Sequence, residues 1–193
     1  MTFLILGLIL FLGVHSLRIF ADPWRTAQIA RLGEGPWKGL YSLTSIAGFV
    51  LLLWGFGRAR AATVVLWSPP FWTHYLALVL TLIAFVLIAA AYVPGTRIKS
   101  WVHHPMVLGV KVWAFAHLIS NGTLADVVLF GSFLAWAIAV FASSRRRDRA
   151  AGTVYPAGTL GKDAVAVVVG VVAWAVFAFW LHGLLFRVRP LGY

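Results

Sequence analysis

The chain has 193 residues, of which 62% are hydrophobic and only 11% charged, with a formal net charge of +11. A soluble domain carries about 25% charged residues, so this composition excludes one: its apolar surface needs lipid as solvent. With no cysteine and only five acidic residues, disulfides, thiolate metal sites and carboxylate metal cages are excluded as well. The positive charge does not point to nucleic acid, because the basic residues fall between apolar runs, the pattern of membrane topology.

The apolar runs, in chain order, are Thr2–Phe20, Gly39–Phe56, Phe71–Val93, Val102–Ser120, Leu124–Ala142 and Ala164–Phe186. Six spans of about 20 residues use most of the chain. The expected fold is therefore all-α, an integral membrane six-helix bundle forming a single domain over residues 1–193. The first run lacks a positive segment before it, with Arg18 and Arg25 following instead, so it reads as a retained span and not a cleaved leader. Pro105 fits the first turn of the fourth span, where a missing N–H costs nothing. Asn121-Gly122 predicts a tight turn closing the fourth and fifth spans into a hairpin, with Gly109, Ala116, Gly131 and Ala135 as the small residues permitting close approach. Ser143–Lys162 reads as a loop holding Arg145, Arg146, Arg147, Asp148 and Arg149.

Counting Lys and Arg in alternate loops places eleven on one side and four (Arg58, Arg60, Arg187, Arg189) on the other. The positive-inside rule then predicts a multi-pass protein of a cell inner membrane, both termini outside and the Ser143–Lys162 segment cytoplasmic. Trp24, Trp37, Trp67, Trp72 and Trp101 flank span ends as interfacial aromatics do.

The six histidines fall into two depth tiers: His15, His103 and His104 toward the cytoplasmic face, and His74, His117 and His182 toward the outer face. An ionisable side chain within a span is costly and is a functional candidate for that reason. His74 reads as interfacial and wet. His15 and His117 sit among apolar neighbours, where the choice lies between an interhelical hydrogen bond and a metal ligand. With no cysteine, any haem iron here must be held by histidine, with Met106 or Lys111 as the remaining possibilities. Lys111, seven residues after His104 and on the same helical face, either neutralises a haem propionate or reaches back to interfacial water. Asp126 complements the N-terminus of the fifth helix.

Three blocks resemble the NnrU family: Val14-His15-Ser16; Arg31-Leu32-Gly33-Glu34 with Gly39-Leu40-Tyr41-Ser42-Leu43 and Gly48; and His104-Pro105-Met106-Val107-Leu108-Gly109 with Trp113-Ala114-Phe115-Ala116-His117-Leu118 and Asn121-Gly122. The likeness covers nearly the whole chain. It implies either a factor in denitrification, the reduction of nitrite and nitric oxide, or a relative of the plant 15-cis-zeta-carotene isomerase, a haem b enzyme acting on a lipid-soluble polyene in a redox-dependent way. The haem-linked histidines of that isomerase fall by motif on His15 and His117. The plant enzyme has a cysteine where this chain has Ala114, so a ligand switch through that thiol is absent, and its Arg-His-Pro reads His103-His104-Pro105 here.

The resemblance makes His117, His15, His104 and Lys111 the expected cofactor-binding residues for haem b, with His117 and His15 on the metal; the redox partner is left open. Helices one and four run antiparallel, which separates His15 and His117 in depth by roughly 15 Å. Either the span registers shift by several residues, or His15 pairs with His104. The alternatives are a non-enzymatic scaffold or transporter whose histidines bridge helices, and a membrane methyltransferase of the isoprenylcysteine type. The latter shares an Arg-His-Pro helix start but carries an acidic pair that Ser143-Ser144-Arg145-Arg146-Arg147-Asp148 lacks.

Overall fold

The protein is described by a computed structural model over residues 1–62 and 64–190; Tyr193, the last residue of the expected domain, lies outside the described residues. The helices are α1 Thr2–Phe20, α2 Asp22–Leu32, α3 Glu34–Ala61, α4 Trp72–Tyr92, α5 Arg97–Val102, α6 Pro105–Ser120, α7 Leu124–Ala150 and α8 Leu160–Phe186. Helix α8 contains a π-helical turn at Phe177–Leu181. Among the described residues there is no β-sheet, only two isolated bridges, Val65–Thr123 and Thr96–Thr159.

Five helices, α1, α3, α4, α7 and α8, are long and apolar enough to cross a membrane. Their outer faces carry large apolar residues in the open, among them Leu43 (67% exposed), Ile46, Val50, Val168 and Trp180. Water would not tolerate so continuous an apolar surface, and lipid does. The expected six-helix count meets a shorter element: α6 has 16 residues, about 24 Å of helix against a hydrocarbon core of about 30 Å.

The two bridges mark opposite ends of the bundle. At the Thr123 end lie the start of α1, the end of α3, the start of α4 and the end of α8. Leu4 is buried there with Ala59 and Ala125, and His74, Ser120 and His182 line one cleft. At the Thr159 end lie α5, the start of α6, the end of α7 and the start of α8, tied by Ile98 N donating to the Asp163 carboxylate at 3.1 Å. Helix α6 therefore runs from one end to the other, and Met1 and Pro190 share the Thr123 end.

Packing follows the small residues. Gly7 and Gly55 lie directly against the α3 and α1 backbones, and a Cβ on Gly48 would stand 2.7 Å from Phe11 N. Without a hydrophobic drive between helices in lipid, such close van der Waals contact is what holds them. Leu4, Leu8, Leu52, Phe56, Leu129 and Phe130 then form a core among α1, α3 and α7. In the other half, α4 is central: Gly109 of α6 rests on Ala84 and Ile88, and Gly170 of α8 rests on Val86. The Trp174 indole donates to Thr81 Oγ1 at 3.1 Å across α4 and α8.

Four expectations change. The α6–α7 turn at Asn121-Gly122 is short, but Gly109 faces α4, Gly131 has open space and Ala135 is exposed. Of the four small residues Gly109 and Ala116 are buried, Gly109 against α4, and the closest approach of helix backbones at a glycine is between α1 and α3. The segment Ser143–Ala150 is helical, not loop: Arg147 donates to Ser143 and Ser144, and the arginines suit the negative end of the α7 dipole. Helix α3 starts earlier and ends later than its apolar run, from Glu34 to Ala61. The fourth run does not begin at Val102, because the backbone breaks at His103. Asp126 caps α7 in a reciprocal box with Thr123, as its position suggested.

Candidate functional site

The histidines divide by which ring nitrogen is occupied. A carbonyl cannot donate, so a ring nitrogen bonded to one must carry the proton, leaving the other as a lone-pair donor in the neutral ring. His15 donates from Nδ1 to the Phe11 carbonyl at 2.6 Å and His117 from Nδ1 to the Trp113 carbonyl at 2.9 Å. His182 donates to Val188 at 2.7 Å, and His74 to Phe71 at 3.3 Å. In each, Nε2 is left for a ligand, the arrangement that metal-binding imidazoles use. His104 differs. Its Nε2 faces Asp148 Oδ2 at 2.7 Å, and the Tyr155 hydroxyl donates to the same oxygen at 2.8 Å.

His15 sits late in α1, its ring against Phe11, Tyr41 and Trp136. It lines a cavity of about 490 Å³ between α1, α2 and α3, walled by Val14, Leu17, Ile29 and Trp37. Arg18, Arg25 and Lys38 also line it, together with Glu34, which pairs with Lys38 at 2.9 Å. That volume is in the range of pockets that enclose cofactors. On the other side of α1, an apolar groove of about 610 Å³ runs along α7, lined by Leu12, Ser16, Phe20 and Trp136. Trp136 Nε1 is buried without a partner, as is Ser45 Oγ on α3.

His117 stacks on Phe130 at 4.6 Å and lies 5.1 Å from the Trp113 ring. It lines two small clefts with His182, of about 50 and 110 Å³, and His74 joins the second. The outer tier anticipated from the sequence is thus gathered around one region, though neither cleft approaches the size of a porphyrin site. Exposed His74 fits its interfacial reading.

His15 and His117 do not meet. Their α7 neighbours Trp136 and Phe130 are six residues apart, about 9 Å along the helix, and the two histidines line separate cavities. Phe11, Phe133 and Trp113 stack between them. His104 is not free to replace either through Nε2, and Lys111 reaches the same Phe141 ring that His104 meets edge-on, its ammonium 5.1 Å from the ring centre. That position toward the α6 N-terminus matches the snorkelling geometry.

Sequence reasoning passed over Asp148 and Tyr155 as a pair. The visible signal was a lone carboxylate inside an arginine run, in a chain with five acidic residues. His103 was also undervalued. Its φ of +67° is a left-handed conformation, and His104 N reaches the Val102 carbonyl at 2.8 Å to close a three-residue turn of the strained kind. The ring stacks on Tyr155 at 4.2 Å, with Nδ1 buried and unpartnered. Burial first, then the hydrogen bond to Asp148, holds the Tyr155 phenol above its ordinary range.

Among the described residues no group of three or more His, Asp or Glu is arranged to hold a bare metal ion. No curated protein and no solved structure matches the chain. The family model described as NnrU protein matches residues 3–190, nearly the whole length, and the chain accordingly belongs to the NnrU family.

Proposed function

We propose that this NnrU-family membrane protein binds haem b non-covalently through His15 and acts in redox-linked chemistry on a lipid-soluble polyene. The observation that carries the reading is the His15 site itself. An imidazole whose Nδ1 is committed to Phe11 keeps Nε2 for iron, beside a cavity of about 490 Å³ that Arg18 also lines, with Arg25 there paired to Asp22 at 3.5 Å. The donor set fits the group: histidine is a haem ligand, Val14, Leu17, Ile29 and Trp37 offer apolar contact to a ring, and guanidinium pairs carboxylates. Bound there, haem would supply a one-electron iron couple. The chain's own residues orient the ring through Phe11, Tyr41 and Trp136. The apolar groove on the far side of α1 gives a lipid-soluble molecule a lateral approach, with the Trp136 indole shared between groove and His15.

His117 was the first choice on sequence grounds, and it supports a second reading. Its Nε2 is also free, but a porphyrin at clefts of about 50 and 110 Å³ requires the 182–190 segment to move. In either reading α6 is the sixth crossing, its short length completed by polar groups at the Thr159 end, in an inner-membrane protein with Arg145–Arg149 cytoplasmic.

The test is the absorption spectrum of the purified protein after expression with ample haem. A Soret band is expected, lost in His15→Ala and kept in His104→Ala and His74→Ala. Loss in His117→Ala with retention in His15→Ala moves the iron to the second reading. No Soret band in the unmodified protein sinks the haem proposal and leaves the scaffold or transporter reading.

A further inference from the structure

A cleft of about 760 Å³ opens between α3 and α8 at the Thr123 end, lined by Phe49, Leu53, Phe56, Phe177, Arg60 and Arg187 among others. We propose that it binds one anionic phospholipid, its phosphate between Arg60 and Arg187 and an acyl chain along α3. Charge complementarity carries the choice of occupant. No acidic residue lines the cleft, and neither arginine takes part in the ion pairs among the described residues. Both residues are exposed, and the Arg60 guanidinium lies 5.6 Å over the Phe56 ring. Two guanidiniums at the membrane interface with no carboxylate between them suit a phosphate, which both can bind through paired N–H groups.

The apolar part has matching length. Phe49 and Arg60 lie eleven positions apart on α3, about 16 Å, close to half of a hydrocarbon core of about 30 Å. A lipid of one leaflet thus has its head at the arginines and its chain against Phe56, Leu53 and Phe49. The arginines are brought together by the fold. Arg187 takes a left-handed conformation with φ of +55° after α8, and its N–H donates back to the Gly183 carbonyl at 3.0 Å. The π-turn begins at Phe177, which forms the wall shared by this cleft and the His117 cleft. Occupancy is independent of haem at His15.

The test uses full-length protein in nanodiscs of phosphatidylcholine and phosphatidylglycerol, with retained lipid read by native mass spectrometry. One phosphatidylglycerol should persist on the unmodified protein. Arg60→Gln with Arg187→Gln should reduce it at least fivefold, while Arg58→Gln leaves it unchanged. Leu53→Trp, which fills the cleft and spares both arginines, should also release the lipid, so a fold defect in the arginine variant does not decide the matter. Equal retention of both lipids, or retention unaffected by these changes, overturns the proposal. So does a lipid-free dimer, which would make a second copy of the chain the occupant.

Discussion

His104 Nε2 and Asp148 Oδ2 lie 2.7 Å apart, joining the first turn of α6 to the last turns of α7 at the Thr159 end. Tyr155 donates to the same carboxylate oxygen and stacks on His103, so one acid fixes a helix start, a helix end and the loop 151–159. The strained turn at His103 costs about 1–3 kcal/mol and persists because these contacts determine it.

That clamp predicts the effect of Asp148→Asn. The substitution keeps the shape and removes the charge, so His104 and Tyr155 lose their charged acceptor and the fold should be destabilised. Thermal unfolding in detergent should shift down, and protease should cut first in 151–159. Tyr155→Phe should cost less, about 1 kcal/mol. The phenol also gives a pH signature. Since the fold raises its pKa, the neutral form is the one stabilised. Its contribution is complete below the usual tyrosine value of about 10 and is lost as pH rises through the higher folded value. Tyrosinate absorbance should lose one late-titrating group in Tyr155→Phe, and in Asp148→Asn that group should shift back down. A late-titrating absorbance of unchanged size and position in both variants refutes the assignment.

The glycines separate packing from propensity. Gly7→Ala places a methyl into the Leu52 backbone and should cost well over the 1–3 kcal/mol typical of overpacking, with loss of folded yield. Gly57→Ala, where nothing lies within 4 Å, should stabilise α3 by up to about 1 kcal/mol. Comparing melting temperatures of the two checks the α1–α3 interface. Equal effects would mean that these helices do not meet there.

The helices visible as apolar runs were legible because lipid demands unbroken apolar length, and α1, α4 and α8 follow their runs closely. Helix α2 was not, since Asp22–Leu32 is polar and buries nothing, so no apolar face announces it. The Arg145–Arg149 segment read as loop because charge marks where a span leaves lipid, while the helix continues past that point. Individual site residues were legible as types. His15 and His117 stood out as costly residues in apolar runs, but which face of each helix they occupy depends on the α7 aromatics. Tyr155 lay in a Pro- and Gly-containing stretch, and only the tertiary path brings it to Asp148.

Topology gives a prediction that needs no cofactor. Eleven basic residues against four, together with both described chain ends at the Thr123 end, lead us to expect Arg149 and Pro190 on opposite sides of the membrane. Reporter fusions after Arg149 and after Pro190 should give opposite activities, with Arg149 cytoplasmic. Matching activities would remove one crossing, and short α6 would be the helix in question.

The separation of His15 and His117 can be tested as an energy. Their rings share no aromatic neighbour: His15 touches Phe11, Tyr41 and Trp136, while His117 touches Trp113 and Phe130. Each ring also holds its own backbone carbonyl. Sites without common partners add within about 0.3–0.5 kcal/mol. In haem-loaded protein, the destabilisation of the His15→Ala, His117→Ala double variant should therefore equal the sum of the single effects. One iron held by both rings predicts a different result. Losing the first ligand would already release most of the haem's stabilisation, and the second substitution would cost little more. A coupling energy above about 1 kcal/mol in that cycle would show that α1 and α6 shift in register to bring the two histidines onto one metal. Additivity in stability with Soret loss only in His15→Ala would keep the iron at the cavity between α1, α2 and α3, leaving His117 as a helix-bridging ring against Phe130.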